Sequence, residues 1–213
     1  MSRCIIITSY QSARLREFFD FHEDDFIICA DGGYSHACTE DIQADVLIGD
    51  FDSLNYDSLE NSHLKNGCRI LRQKVEKNYT DTMICLKYGI NQGYNDFYIL
   101  GGLGGRLDHT VANLQLMSYA VDIGKSIWIL DGKNCTTLRN PGSITIQKLD
   151  GYKISLLSYS EVCDGINTQG VKYQLTNGRL NHSCAIGVSN EFIDSKAIIS
   201  HKSGKLLIIL SQD

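Results

Sequence analysis

The apolar positions of this chain change rhythm once, near residue 128. Before that point, short and largely continuous apolar runs alternate with amphipathic ones. Residues 4–8, 26–30, 46–48, 69–71 and 97–100 read as strands. Continuous rather than alternating apolar residues indicate strands buried on both faces. Residues 13–21, 34–39, 57–65, 80–88 and 109–121 read as helices. Repeated strand–helix units predict a mainly parallel sheet with helices on both sides. After residue 128 helical periodicity disappears. Residues 127–130, 135–138, 144–147, 153–157, 185–188, 195–200 and 206–210 read as short strands. Asp131-Gly132, Asn140-Pro141-Gly142, Asp150-Gly151 and Asn177-Gly178 mark turns between them. The expectation is an α/β N-terminal domain over residues 1–128 with a mainly parallel sheet. An all-β sandwich C-terminal domain over residues 129–213 follows, with no long linker.

The strongest candidate chemistry lies where the strand at 97–100 meets the helix at 109–121. Gly101-Gly102-Leu103-Gly104-Gly105-Arg106-Leu107-Asp108-His109 joins them. Glycines allow a tight turn and close approach to a ligand. The helix N-terminus offers free N–H groups to a phosphate, and Arg106 a planar charged fork. The spacing is neither that of a P-loop nor G-x-G-x-x-G. A tight turn with Asp108 capping a helix is the plain alternative.

Carboxylates recur at the other strand ends. Asp31 lies in Ala30-Asp31-Gly32-Gly33, Asp50 and Asp52 in Gly49-Asp50-Phe51-Asp52-Ser53, and Asp81 follows Tyr79-Thr80. Ligands of open α/β sheets bind beyond the carboxyl ends of the strands. Converging carboxylates repel one another unless a cation lies between them. Oxygen ligands without Cys or His favour Mg²⁺. Mg²⁺ with a phosphate-binding loop points to phosphoryl or pyrophosphoryl transfer. Asp57, Asp96 and Asp122 lack this context and read as surface residues. His109 opens the helix after the loop; the other histidines have no ligand spacing.

The net charge of −5 argues against broad nucleic-acid binding. Apolar content of 43% and charged content of 21% are those of a globular protein. The eight cysteines form no C-x-x-C pair, as expected of buried thiols in a reducing cytoplasm. No run reaches membrane-spanning length, and the N-terminal apolar run is too short for a signal peptide.

Taken in order, Ala30-Asp31-Gly32-Gly33, Ile48-Gly49-Asp50-Phe51-Asp52-Ser53, Tyr79-Thr80-Asp81 and Gly104-Gly105-Arg106-Leu107-Asp108-His109-Thr110-Val111-Ala112-Asn113-Leu114 resemble the thiamine pyrophosphokinase family. Gly170-Val171-Lys172-Tyr173-Gln174-Leu175 and Gly187-Val188-Ser189-Asn190-Glu191-Phe192 continue the resemblance, which covers nearly the whole chain. It implies transfer of pyrophosphate from ATP to the hydroxyl of thiamine, giving thiamine diphosphate and AMP. It also implies a homodimer with thiamine between subunits. On that resemblance Asp31, Asp50, Asp52 and Asp81 hold Mg²⁺. Asp50, Asp52, Asp81 and Arg106 act in catalysis. ATP contacts fall on Asp31, Gly32, Gly33, Thr80, Gly104, Gly105, Arg106, Asp108 and His109. Ser189, Asn190 and Phe192 lie on the thiamine side. Asn78 and Met83 stand where many bacterial members carry Asp and Glu, and Leu103 where many carry Thr. Two alternatives remain: a Mg²⁺–ATP phosphotransferase for another small alcohol, and a non-catalytic sensor of thiamine or nucleotide.

Overall fold

The computed structural model describes residues 2–51, 67–73 and 78–213. The expected helix at 57–65 lies outside them, as does Asp52. The chain divides into two compact units, Met1–Leu116 with Ile123–Gly132, and Met117–Asp122 with Lys133–Asp213.

The first unit is built on six parallel strands: β1 (Cys4–Ile7), β2 (Phe26–Ala30), β3 (Val46–Gly49), β4 (Arg69–Arg72), β5 (Asp96–Leu100) and β6 (Ser126–Leu130). Their order is β4-β3-β2-β1-β5-β6. β1 and β3 are buried at every residue, and β2 at all but its first. That explains the missing alternation: both faces are covered. Each fully buried Ile or Leu contributes about 1.5–3 kcal/mol, more than the ~1 kcal/mol span of β-propensity. Ile5, Ile7, Leu47 and Leu100 pack with Phe19, Tyr34 and Ala37 in one core.

Four helices are found among the described residues: α1 (Leu15–Phe18), α2 (Gly33–Thr39), α3 (Asp81–Asn91) and α4 (Leu107–Asp122); α1 gives Leu15 to the core, and α2 and α3 pack on the sheet. α1 is shorter than the expected 13–21. The Glu40 carboxylate accepts from the backbone N–H groups of Leu15 at 2.7 Å and Arg16 at 3.0 Å, fixing its start. Phe19 is already extended at φ −141°. Its ring is buried, with centroids 5.0 Å from Phe21 and 5.4 Å from Tyr98. Core burial of that ring outweighs another helical turn. α4 begins at Leu107, two residues before the expected start at 109.

The second unit holds two antiparallel sheets. One comprises β7 (Asn134–Arg139), β13 (Leu206–Ser211) and β9 (Lys153–Ser158), with β13 in the middle. The other runs β11 (Gly178–Asn181), β10 (Val162–Gln169), β12 (Lys196–His201) and β8 (Gly142–Gln147). Leu156 of β9, Thr168 of β10 and Leu180 of β11 line one small cavity, so the sheets face each other. β10 and β11 escape the sequence pattern. β10 contains Asp164-Gly165, where the register shifts, and Gly165 has φ 68°. A bulge of this kind breaks the alternation that marks a strand. The expected strand at 185–188 is irregular instead, with Ile186 70% and Val188 50% exposed.

All eight cysteines are free thiols, four of them buried. Burial pushes the Cys68 thiol up to about 11, and raises Cys4 and Cys29 further. No helix among the described residues is long and apolar enough to cross a membrane.

Candidate active site

β1 is the point where strand order reverses. The chain runs from β1 outward through β2, β3 and β4, then returns to β5 on the other side of β1. The loops leaving β1 and β5 therefore part, and a crevice opens between them. A cleft of about 490 Å³ occupies this place.

Seven expected residues line the cleft: Asp31, Thr80, Asp81, Gly104, Gly105, Arg106 and His109. Asp31 follows β2, and its N–H donates to the Ile48 carbonyl at 2.8 Å, tying it to β3. Its φ of 45° is left-handed. Thr80 caps α3, its hydroxyl accepting from Met83 N–H at 3.3 Å, and so presents Asp81 in the first turn. Asp50, Gly32, Gly33 and Asp108 are not among the lining residues. Gly32 caps α2 and Gly33 is buried against the end of β1. Asp50 follows β3, beside Phe51, which is 3% exposed with φ 62°. A left-handed residue costs roughly 1–2 kcal/mol; burying a Phe returns about 1.5–3 kcal/mol. The plugged ring thus holds the turn that carries Asp50.

Seven lining residues are not among the expected site residues: Thr8, Ser9, Tyr10, Ala30, Thr82, Gly102 and Asn113. The Tyr10 ring, 40% exposed, lies against the glycine loop. A Cβ at Gly104 would stand 2.5 Å from its Cε1, so a side chain there would displace the ring. Thr8-Ser9-Tyr10 are the residues directly after β1. The reversal of strand order marks them, and no motif does.

Arg106 and Asp108 form a bidentate pair, Nε to Oδ1 at 3.1 Å and Nη2 to Oδ2 at 2.6 Å. Asp108 Oδ1 also accepts from His109 N–H at 2.9 Å. The guanidinium hydrogen bond holds the Asp108 carboxyl below its ordinary range, and Asp108 raises Arg106 in turn. The side chains are 72% and 62% exposed, so solvent screens the pair and it contributes little stability. Its effect is orientation. A guanidinium has five N–H donors, so Nη1 is left to meet a phosphate oxygen.

The donor set suits Mg²⁺, which binds through one or two carboxylates together with substrate phosphates and water. Asp31 and Asp81 supply two carboxylates on the cleft wall. Among the described residues the one trio of potential ligand atoms within 4.8 Å is His22, Asp24 and Asp25. Asp25 there is committed to Arg3, at 2.6 and 2.7 Å. Asp31, Asp50 and Asp81 therefore do not form a ready-made cage.

In the second unit, Asn190 spends its amide on the neighbouring chain. Oδ1 accepts from Tyr173 N–H at 3.0 Å and Glu191 N–H at 2.9 Å, and Nδ2 donates to the Tyr173 carbonyl at 2.8 Å. Ser189 has φ 60° and its N–H donates to Ser155 Oγ at 3.0 Å. Phe192 bridges Val171. Asn190 and Tyr173 also line a cavity of about 130 Å³ with Ile186 and Val188. The Glu191 carboxylate is held below its ordinary range by hydrogen bonds from Lys153 and Lys172.

Residues 21–129 match the family described as thiamin pyrophosphokinase, catalytic domain. Residues 143–206 match thiamin pyrophosphokinase, vitamin B1 binding domain. A thiamine pyrophosphokinase of Bacillus subtilis is 30% identical over 167 residues, 78% of this chain and 77% of its own. The crystal structure of thiamine pyrophosphokinase from Bacillus subtilis superposes with a TM-score of 0.87 at 25% identity, covering 100% of both chains. The Geobacillus thermodenitrificans structure gives 0.83 at 27% identity, covering 100% of this chain and 98% of its own.

Proposed function

The chain belongs to the thiamin pyrophosphokinase family, and from that premise we infer that it is a thiamine diphosphokinase. It transfers the terminal pyrophosphoryl group of ATP to the hydroxyl of thiamine and releases AMP. The observation that carries this reading is the cleft at the strand reversal. Glycine loop, Arg106, Asp31 and Asp81 all open onto it.

The thiamine oxygen attacks the β-phosphorus as the bond from that phosphorus to the oxygen of AMP breaks. This chemistry asks little covalent help of the protein; positioning and charge neutralisation dominate. The glycine loop approaches phosphate with bare backbone. Arg106, aligned by Asp108, meets a phosphate oxygen. The hydroxyl proton goes to a carboxylate, for which Asp52 and Asp81 are the two candidates. Asp31, Asp50, Asp52 and Asp81 are the residues that would hold Mg²⁺, and the ion, when bound, neutralises phosphate charge.

Thiamine belongs to the second unit on the strength of its vitamin B1 binding match. We assign Ser189, Asn190 and Phe192 to that side. Phe192 offers an aromatic face to the cationic thiazolium. Asn190 acts by fixing Tyr173, whose backbone it clips. The working form we propose is a cytoplasmic homodimer.

The test is direct. Protein, ATP, Mg²⁺ and thiamine are mixed and the nucleotides separated. AMP with thiamine diphosphate is expected. ADP in place of AMP indicates single phosphoryl transfer and overturns the reading; neither nucleotide indicates a sensor.

A further inference from the structure

We propose that Gln11 is a positioning residue for the nucleotide, acting through the glycine loop. The proposal rests on the phosphate-loop reading above and adds a residue to it. Gln11 does not line the cleft, so it works at one remove.

Its Nε2 donates to two carbonyls, Thr8 at 3.0 Å and Leu100 at 2.9 Å. Ile7 and Leu100 are the last registered pair between β1 and β5. Beyond that pair the two chains part to form the crevice. The Gln11 amide spans them there, bonded to the strand end on one side and to the first residue of the outgoing loop on the other. Thr8 reinforces the junction, its N–H and its hydroxyl both donating to Leu100 O at 3.1 Å. The next residue, Gly101, begins the glycine loop. A Cβ at Gly101 would collide with the Tyr10 carbonyl and stand 2.7 Å from Gln11 Nε2. The loop thus rests on Gln11. Asn113 Nδ2 donates to the Gly102 carbonyl at 2.9 Å. Two amides therefore hold the base of the loop, Gln11 at the Leu100 carbonyl before it and Asn113 at Gly102.

One atom of Gln11 argues that the grip matters. Its Oε1 is buried and meets no donor among the described residues. A buried acceptor without a donor is destabilising, and an apolar side chain of similar length would avoid that cost. What the glutamine contributes is its pair of N–H bonds. Held in place, the loop presents its backbone to phosphate without being ordered by the ligand. A loop that the ligand must order binds more weakly.

The test uses Gln11→Met, which fills the same space without donating, and Gln11→Glu, isosteric but acceptor-only. Binding of α,β-methylene-ATP, whose scissile bond is blocked, is measured by calorimetry; KM values for ATP and thiamine follow. In Gln11→Met the Kd for the analogue and the KM for ATP should rise roughly tenfold. KM for thiamine and Tm should stay near wild type. Gln11→Glu should be worse, since its carboxylate faces two carbonyls. Unchanged nucleotide affinity at unchanged Tm overturns the proposal. So does a parallel rise in both KM values with a lowered Tm, or failure of both variants to fold; each assigns Gln11 to the fold alone. Wild-type protein that binds the analogue but releases no AMP from ATP in the presence of thiamine overturns the diphosphokinase reading instead, and leaves the binding measurement on Gln11 intact.

Discussion

Asp31 carries both a backbone demand and a charge, and two substitutions separate them. Its φ of 45° is one that Asn tolerates and Ala does not. Asp31→Asn should keep Tm near wild type while weakening Mg²⁺-dependent turnover. Asp31→Ala should lose the charge and roughly 1–2 kcal/mol of stability as well. Thermal denaturation beside an AMP-release assay distinguishes the two; equal Tm values would remove strain from the account. The remaining carboxylates are tested alike. Asp50→Asn, Asp52→Asn and Asp81→Asn should each lower kcat by about 10²–10³ with the fold retained. Near-normal turnover under limiting Mg²⁺ would exclude that residue from the metal site.

At the scale of elements, the site depends on where helices begin. Thr80 stops the backbone one residue before α3 and accepts from Met83 N–H, which puts Asp81 in the first turn. Thr80→Ala should cost about 1 kcal/mol and lower turnover as well, because Asp81 loses its fixed start. Thr80→Ser keeps the hydroxyl and should restore both. A Tm loss without any change in kcat would show that the cap serves the helix alone. Glu40 at α1 is the contrasting case: its carboxylate takes two backbone N–H groups from a helix 25 and 24 residues away in sequence. No local pattern announces such a cap.

At the scale of the whole molecule, pH and assembly are open to measurement. His201 is buried in β12, its Nε2 3.1 Å from the Gly204 carbonyl, and burial holds its pKa below the ordinary 6.5. The unfolded chain therefore takes up this proton first as pH falls. The stability contributed by the neutral imidazole is intact above pH 6.5 and is lost as pH falls from there through the folded value. Urea midpoints at neutral and mildly acidic pH should fall more in wild type than in His201→Gln; parallel curves would dismiss His201. Assembly is tested by mixing Asp52→Asn with Asn190→Ala. In a homodimer whose site draws on both subunits, half the sites of a mixed dimer are intact and activity returns. Subunit exchange is shown separately with tagged chains; exchange without activity would place each site within one chain.

The parallel sheet and the expected cleft carboxylates Asp31 and Asp81 were legible in the sequence because their signals are local. A buried strand writes itself as a continuous apolar run, and a phosphate loop as glycines between strand and helix. The break in rhythm near residue 128 separated the α/β part from the all-β part for the same reason. β10 was not legible, because its bulge at Asp164-Gly165 erases alternation and its pairing with β11 and β12 supplies the missing order. The residues 185–188 misled in the opposite way: an apolar run can sit exposed when its pairing is only local, here Leu156 N–H to the Gly187 carbonyl at 2.8 Å. Asp50 shares the strand-end signal of Asp31 and Asp81; Gly49 before it stands against Asp31, which puts Asp50 one strand further from β1 than the residues that line the cleft. Thr8, Ser9, Tyr10 and Gln11 are ordinary polar residues by sequence, and Asn113 stands in the motif after the glycine loop without a role assigned to it. They become parts of a site because β5 returns beside β1, bringing residues about 90 positions apart into hydrogen-bonding contact. Local periodicity set the elements; only the order of the strands decided which ends meet.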